Sequence, residues 1–529
     1  MTSTLIAPAT DVTAGAVPSA SPEPAGPYPL RFWWLKRLTL LCILVAAALL
    51  VVRLAWGREA RRRLERALGP VAAQGWPLRG EQLQAAALPD ESNAAAYLKA
   101  ADAAVSRVNE SPACSSLSYP PFPPYGTAWD KTAQKSVIAS AIAFPLARRA
   151  RDFDRFDWGT RIPQPSVNTL LPHLNGARNL ANTLGDAALY AHVHGDDAAA
   201  LETMRDLRHV AEAVGAEPFL ISHLVNVGIE AMAQNRLQII AGGLTVGPEG
   251  ESNRADLASG APGPLVTPQP PRRPASRVQV RALIAELLDD RDFAAMQKAY
   301  AGERASQIDM AEWMARQAKS TRPMFDLDTV RMLEQDAVLM EAASKPTMPA
   351  ARAALAKSPT LTVPPAPPAA PMFPAGTAPR ARQPVDYTRL LSSNLIGGVA
   401  MSRTIQQNMR VRADRRMSAV SLAAQVYRAD HGNWPPTLEA LVPKYLPEVP
   451  KDPMASGDRP LGYMIGTVPL PGGGERPVVY SVGDNGVDET TATTALPGIP
   501  QFGWLRSRDE YRDLTLWAPP AAATQPIAR

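Results

Sequence analysis

An apolar run near the N-terminus constrains this chain more than any other feature. No residue between Leu38 and Val52 is charged, and the apolar character continues to Trp56. The run approaches the length of about 20 helical residues that crosses a bilayer, and tryptophans flank it where interfacial aromatic residues belong. No small-x-small cleavage site follows it, as a removable signal peptide would require. The sequence therefore predicts an uncleaved, single transmembrane helix over residues 31–56.

Length and composition predict several folded segments behind this anchor. The chain has 529 residues, and its 53 prolines are about twice the usual share and cluster as they do in linkers. Residues 1–30 carry too little apolar surface to order themselves, so we expect a disordered tail. The net charge of +5 is small and forms no basic stripe, so nucleic acid is not an expected partner. Two cysteines supply neither a disulfide framework nor a zinc site.

Apolar residues that recur at intervals of three and four predict a mainly α protein. Within this pattern, Gly195 and the two aspartates after it indicate a turn between helices, with Asp197 as the N-cap. A helix of roughly forty residues is expected from Asp386 to about Asp430. The predicted segments are a stalk helix and Pro-rich loop over 57–127, a helical-hairpin domain over 128–244, a linker over 245–275, a helical region over 276–357, a Pro-rich linker over 358–384 and a small α+β domain over 385–529.

The most specific pattern lies in the last of these segments. A long helix ends at "YRADHG" (427–432), "WPPTLEALVP" (434–443) and "LPEVPKDP" (446–453) follow, and the pattern closes with "LGY" and "VVYSVGDNG". This pattern resembles the globular head of the major pseudopilins of type II secretion. The resemblance implies a long helix packed on a short antiparallel sheet. The matching residues are Tyr427, His431, Gly432, Trp434, Pro435, Leu438, Leu441, Pro443, Pro450, Asp452, Pro453, Tyr463, Tyr480, Ser481, Gly483, Asn485 and Gly486.

The chain departs from the pseudopilin pattern near Asp386. No short leader, Gly-Phe cleavage site or glutamate opens a hydrophobic helix there, so assembly into a pilus is not expected. The layout of anchor, helical middle and head is similar to uncharacterised anchored envelope proteins of planctomycete-like bacteria. Pseudopilin heads face away from the cytoplasm, which implies that residues 57–529 lie outside the cytoplasmic (inner) membrane. Arginines that follow the span, among them Arg58 and Arg61, argue for the opposite orientation.

The closing loop "YSVGDNGVDE" (480–489) has two interpretations. Carboxylate and amide oxygens around a glycine suit calcium, and related pseudopilin heads hold calcium in this final loop. The alternative is a plain turn, because Asn-Gly is a favoured hairpin pair. In both cases we expect a bend at 484–486, with Tyr480 packed inward and the loop on the face opposite the long helix. The candidate calcium ligands are Asp484, Asn485, Asp488 and Glu489.

The histidines offer no catalytic or cofactor-binding motif. His192 and His194 lie two residues apart, which on a helix turns the second side chain about 200° from the first, so they are not expected to share a metal. His209 and His223 are expected to be packed or solvated. No phosphate-binding glycine loop with its lysine is present either.

These features predict a single-span, membrane-anchored envelope protein that binds other envelope proteins or acts as a scaffold. The alternative is an extracytoplasmic hydrolase with an unrecognised site in the helical region. A deep pocket lined by convergent carboxylates or histidines would favour the enzyme, and a helical layer poor in pockets would favour the binding protein.

Overall fold

The computed structural model describes residues 33–105, 125–248, 272–358, 361, 398–467, 475–486, 488 and 514–517. The chain divides into two compact units, Met1–Glu59 and Ala60–Arg529. The first unit is described by helix α1 (Trp33–Ala73), which runs on into the second. Mean hydropathy reaches 2.7 in its apolar stretch, and large side chains such as Leu49 are exposed there. A helix of this length and composition is sufficient to cross a bilayer, which agrees with the predicted anchor.

The second unit is built mainly from helices, as predicted. Small side chains such as Ala181, Ala188 and Ala211 are fully buried at the contact faces and let helix axes approach closely. The helices that follow α1 are α2 (Ala94–Val105), α3 (Thr127–Ala139), α4 (Ala143–Ala150), α5 (His173–Val193), α6 (Asp197–Gly215), α7 (Leu220–Gly243), α8 (Arg277–Leu287), α9 (Asp292–Gln317), α10 (Arg322–Ala343), α11 (Met348–Leu355) and α12 (Gly398–His431). Among them α5, α6 and α7 pack on one another, with α2 and α4 alongside.

The cap at the turn between α5 and α6 lies one residue from its predicted place. Gly195 adopts a φ of +82°, and the side chain of Asp196 accepts the hydrogen bond from the Ala199 amide at 3.0 Å. The prediction of Asp197 as N-cap was wrong because the left-handed glycine ends α5 early enough for Asp196 to take the cap position. Asp197 instead accepts from the Thr245 amide at 2.7 Å.

The described ends of the first predicted linker meet each other. The Ala275 amide donates to the Thr245 carbonyl at 2.9 Å. The Arg273 amide donates in turn to the Gly195 carbonyl at the α5–α6 turn, also at 2.9 Å. The chain therefore leaves α7 and enters α8 at one place, and both helices belong to the same compact unit. Residues 249–271 lie outside the described part of the chain.

Helix α12 joins the C-terminal segment to the other helices. It packs along α7 and α8, and the buried Ser418 hydroxyl donates to Gln234 of α7 at 2.8 Å. It also packs on an antiparallel sheet with the strand order β1 (Gly462–Thr467), β2 (Glu475–Ser481) and β3 (Leu514–Trp517). A long helix on a short antiparallel sheet agrees with the prediction. The predicted start of that helix at Asp386 lies outside the described residues.

A buried carboxylate fixes the turn that precedes the sheet. Asp452 is 1% exposed and accepts from the Ser481 hydroxyl at 2.7 Å. The amides of Val482 and Met454 also donate to this carboxylate, both at 2.9 Å. These bonds tie the "KDPM" turn to the end of β2, so one side chain holds two distant segments of the chain together.

Asp452→Ala is expected to lower the stability of the second unit by about 3 kcal/mol or more, because it leaves two amides and a hydroxyl buried without an acceptor. The matched control is Asp458→Ala in the same turn, whose side chain is 85% exposed and pairs with Lys451. An exposed pair of this kind contributes less than about 1 kcal/mol. Thermal melting of the detergent-solubilised full chain, followed by circular dichroism, measures both variants. Equal melting temperatures would contradict the structural role of Asp452.

Candidate functional site

A cavity of about 1180 Å³ lies in the second unit, between α4, α6, α7, α8 and α12. Most of its lining is charged, and no serine, threonine, cysteine, tyrosine or lysine is among the described residues that line it. Such a surface supplies groups that bind polar ligands rather than a hydroxyl or thiol nucleophile. The charged lining includes Arg148, Arg151, Arg205, Arg208, Arg415, Glu202, Glu230 and Glu286.

Helix α6 forms the charged wall of this cavity. Glu202, Arg205 and His209 line the cavity and follow one another at intervals of three and four, which places them on one face of the helix. Leu201 and Leu207 are fully buried and hold another face in the core. The stretch "ETMRDLRHVAE" (202–212) carries this mixed-charge face in the sequence. A search for metal-binding and nucleophile motifs passes over it, so sequence reasoning missed the site.

Strong ion pairs connect α6 to the end of α4. The buried carboxylate of Asp206 accepts from Arg148 Nε at 2.8 Å and from Arg151 Nη1 at 2.9 Å. Arg151 Nη1 also donates to Glu202 Oε2 at 2.8 Å. Burial alone would raise the pKa of Glu202, but Arg151 and the neighbouring arginines outweigh it and lower that pKa below its ordinary value. The Glu202 carboxylate is therefore ionised at neutral pH, and its charge is used within the protein.

Arg415 brings α12 to the end of α8. Its side chain is buried, with Nε donating to the Leu287 carbonyl at 3.2 Å and Nη2 to the Glu286 carbonyl at 3.0 Å. The last carbonyls of a helix carry partial negative charge, so they stabilise a cation placed there. Burial, and next the charge of Arg208, lower the pKa of Arg415 to about 10. Arg415 therefore stays protonated at neutral pH and adds a positive charge to the cavity.

Three neighbouring side chains are buried in the cavity wall with hydrogen-bonding capacity left over. Arg208, Asn226 and Glu230 are 9%, 6% and 6% exposed. Arg208 Nε and Glu230 Oε2 are 3.6 Å apart, beyond hydrogen-bond length, and neither atom has a hydrogen-bond partner among the described residues. Arg208 Nη1 lies 3.9 Å from Glu286 Oε2. The Asn226 amide packs beside Gly215, with no hydrogen bond to another described residue.

This arrangement is unusual for buried polar groups. More than nine in ten of them are hydrogen-bonded, because leaving one unpaired costs about 1–3 kcal/mol. Arg208 Nε and Glu230 Oε2 are two such exceptions, and both residues line the same cavity, whereas others, such as Tyr125 and Arg304, lie away from it. This wall of the cavity is the candidate functional site.

The predicted bend at the closing loop is confirmed. Residues Gly483–Asn485 form a single 3₁₀ turn, and Gly486 ends it with a φ of +69°. Tyr480 is 7% exposed and packs inward, as predicted. The expectation that the loop lies on the face opposite the long helix was wrong. Asp484 pairs with Arg410 of α12, which draws the loop toward that helix (Nε to Oδ1, 2.9 Å).

The candidate calcium ligands of this loop contact different arginines. Asp484 pairs with Arg410, whereas the carboxylate of Asp488 pairs with Arg459 and accepts from the Tyr480 hydroxyl at 3.2 Å. Burial alone would raise the pKa of Asp484, but the Arg410 guanidinium lowers it below its ordinary value. The structure does not describe the side chain of Asn485 or any part of Glu489. Calcium binding here stays a prediction, and it would require the ion to compete with both arginines.

The two histidines of "HVHGDD" lie apart, as their helical spacing predicts. His192 Nδ1 bonds to Asp197 Oδ1 at 2.5 Å, at the start of α6. His194 Nε2 instead pairs with Asp130 of α3 at 3.1 Å. Within the described part of the chain, no group of three or more His, Cys, Asp or Glu side chains could hold a metal ion. These histidines join helices to one another.

Comparison of the chain with protein-family models, curated proteins and solved structures finds no match. The resemblance to pseudopilin heads accordingly stays a prediction, carried by the residues that match the pattern.

His223, on α7, is packed in the interior. From the sequence it was expected to be either packed or solvated. His223 is 0% exposed, and neither ring nitrogen has a hydrogen-bond partner among the described residues. Burial disfavours the charged imidazolium and lowers the pKa of His223 to about 4. The folded chain therefore holds this ring neutral at pH values where the unfolded chain already protonates it.

His223→Leu is expected to flatten the pH dependence of stability between about pH 6.5 and pH 4. The folded-state pKa is depressed, so the stability linked to the neutral ring is present above the unfolded pKa and is lost as pH falls through the folded one. The full effect amounts to roughly 3 kcal/mol. Melting temperatures of the wild-type chain and the variant across this range measure it. Parallel curves for the two proteins would contradict the burial of a neutral His223.

Proposed function

We propose that this chain is a membrane-anchored binding protein of the cell envelope, whose cavity takes an acidic group of a ligand or partner protein. The observation that carries the proposal is the buried guanidinium of Arg208, which makes only long ion pairs and stands near a second buried cation, Arg415. Among the described residues that line the cavity, seven arginines are balanced by seven carboxylates. The attraction for an incoming anion therefore comes from the incomplete pairing of Arg208 and not from an excess of positive charge.

A cavity lined by carboxylates is also what the hydrolase alternative would require. General acid catalysis by a carboxyl group needs a raised pKa, so that a proton is present at neutral pH. Glu202 has the opposite shift, because Arg151 and its neighbours lower its pKa despite burial. The pKa of Glu212 at the same wall is also lowered, first by its contact with His209, whose Nδ1 lies 3.6 Å from Glu212 Oε2. Carboxylates held ionised by arginines favour a binding site over a hydrolytic one.

The proposed location rests on the two ends of the chain. The apolar helix α1 supports attachment to a membrane through one span. The pseudopilin-like pattern at the C-terminus supports a position of residues 57–529 outside the cytoplasmic membrane, where the partners would be other envelope proteins. Helix α12 ties that C-terminal segment to the cavity through Arg415, so a partner bound at either place contacts one compact unit.

A reporter protein that fluoresces only in the cytoplasm is expected to stay dark when fused after Arg529. The same reporter fused before Met1 should fluoresce, because a single span places the two ends on opposite sides of the membrane. Fluorescence of cells that express each fusion at equal level measures this. A bright C-terminal fusion would show that the arginines after the span set the orientation, and it would exclude the extracytoplasmic location.

Acetate at about 100 mM, compared with chloride at the same concentration, is expected to raise the melting temperature of the solubilised full chain by mass action. For a dissociation constant of about 10 mM, the added stability is about 1.4 kcal/mol. Arg208→Met should abolish this rise. Arg331→Met is the matched control, since that arginine is 71% exposed on α10, and it should preserve the rise. An acetate effect that survives in Arg208→Met would place anion binding elsewhere.

A further inference from the structure

We infer that the ligand of the cavity carries a primary ammonium next to an oxyanion, as an amino acid or an ethanolamine phosphodiester does. This inference rests on the proposed function and narrows its ligand class. It comes from the fact that the unused hydrogen-bonding groups include an acceptor as well as donors. Arg208 and Asn226 offer N–H groups, and Glu230 offers carboxylate oxygen, on adjoining faces of α6 and α7.

A ligand that carries only an anion can accept hydrogen bonds from Arg208 and Asn226, but it offers no donor to Glu230. Oxygens of a carboxylate or phosphate accept from Arg208 and Asn226, and the charge of Arg415 reinforces that attraction. The same anion is repelled by Glu230, whose Oε2 lies 3.6 Å from Arg208 Nε and has no donor among the described residues. An amine alone meets the reverse problem, because two buried arginines then oppose it.

A ligand with both charges matches the wall in each respect. The pair of Arg208 and Glu230 presents a positive and a negative group side by side, too far apart to hydrogen-bond to each other. A zwitterionic ligand can face this pair with its oxyanion next to the Arg208 guanidinium and its ammonium next to the Glu230 carboxylate. Each contact is then a charge-assisted hydrogen bond, the stronger class of hydrogen bond in proteins. The positions of α6 and α7 set the spacing, so the site is formed before the ligand arrives.

Two sources supply this chemistry. One is a free amino acid, in which a carboxylate is the oxyanion. The other is the headgroup of an aminophospholipid, in which a phosphodiester is the oxyanion. The cavity, at about 1180 Å³, has room for either, together with an attached side group.

The test is titration calorimetry on the full chain in a detergent without amine or phosphate groups, at neutral pH. The probes are alanine, glycerophosphoethanolamine, propionate and propylamine. We expect the better of the two zwitterions to bind at least about tenfold more tightly than propionate or propylamine, since each lacks one charge-assisted bond. Tighter binding of glycerophosphoethanolamine than of alanine would assign the site to a lipid headgroup, and the reverse order would assign it to a free amino acid.

Two variants separate the roles of the charges. Glu230→Gln should remove the advantage of the zwitterion while propionate still binds, and Arg208→Met should weaken both. Glu341→Gln on α10, where the carboxylate pairs with Lys357 outside the cavity, is the control and should change neither. Because Arg208→Met leaves Glu230 buried without its partner and can unfold the chain, circular dichroism accompanies each titration.

The comparison of probes on the wild-type chain decides the inference without any variant. Equal affinity for alanine, glycerophosphoethanolamine and propionate would overturn the zwitterion inference and leave anion binding in place. Failure of all four probes to bind would overturn the proposed function as well. A zwitterion preference that survives in Glu230→Gln would contradict the role given to that carboxylate.

Discussion

The contact on which the rest of the second unit depends is that of Arg415 with the end of α8. A buried guanidinium is costly unless dipoles replace the lost water, and the carbonyls of Glu286 and Leu287 do so for Arg415. This contact places α12 against α8, while Ser418 and Gln425 fix it along α7. Arg415 of α12 and Glu286 of α8 both line the cavity, so the contact that joins these helices also joins the cavity wall to the C-terminal segment.

The same contact joins the C-terminal segment to the helices that precede it. The pseudopilin-like pattern predicts a long helix whose apolar side covers a small sheet, and α12 does cover one. Several of its charged and polar residues are buried, among them Arg415 at 3% and Asn408 at 8% exposure. The helix therefore has two buried sides, one on the sheet and one on α7 and α8.

Local features were the ones that the sequence could predict. The apolar span, the turn at 195–197, the bend at Gly486 and the helical spacing of His192 and His194 each depend on residues close together in the chain. The cap still moved to Asp196, because a single φ value at Gly195 decides it. The cavity depends on pairs far apart in sequence, such as Arg148 with Asp206 and Arg415 with the Leu287 carbonyl. A sequence read segment by segment contains no signal that these partners meet, although the mixed charges of α6 mark the helix that supplies one wall.

Two buried, charged residues of α6 differ in how completely they are paired. Asp206 and Arg208 are two residues apart on the same helix and are both buried, so neither solvent exposure nor place in the chain explains why their pairing differs. The carboxylate of Asp206 is satisfied by two arginines at 2.8 and 2.9 Å, as a buried group that stabilises the fold must be. Arg208 has only carboxylates at 3.6 and 3.9 Å. The fold brings arginines of α4 to Asp206 at hydrogen-bond distance, and it could bring a carboxylate equally close to Arg208. The stability lost because no carboxylate lies that close to Arg208 can be recovered when a ligand binds. Under the proposed function, the incomplete pairing of Arg208 with Glu230 is a loss of stability that ligand binding recovers.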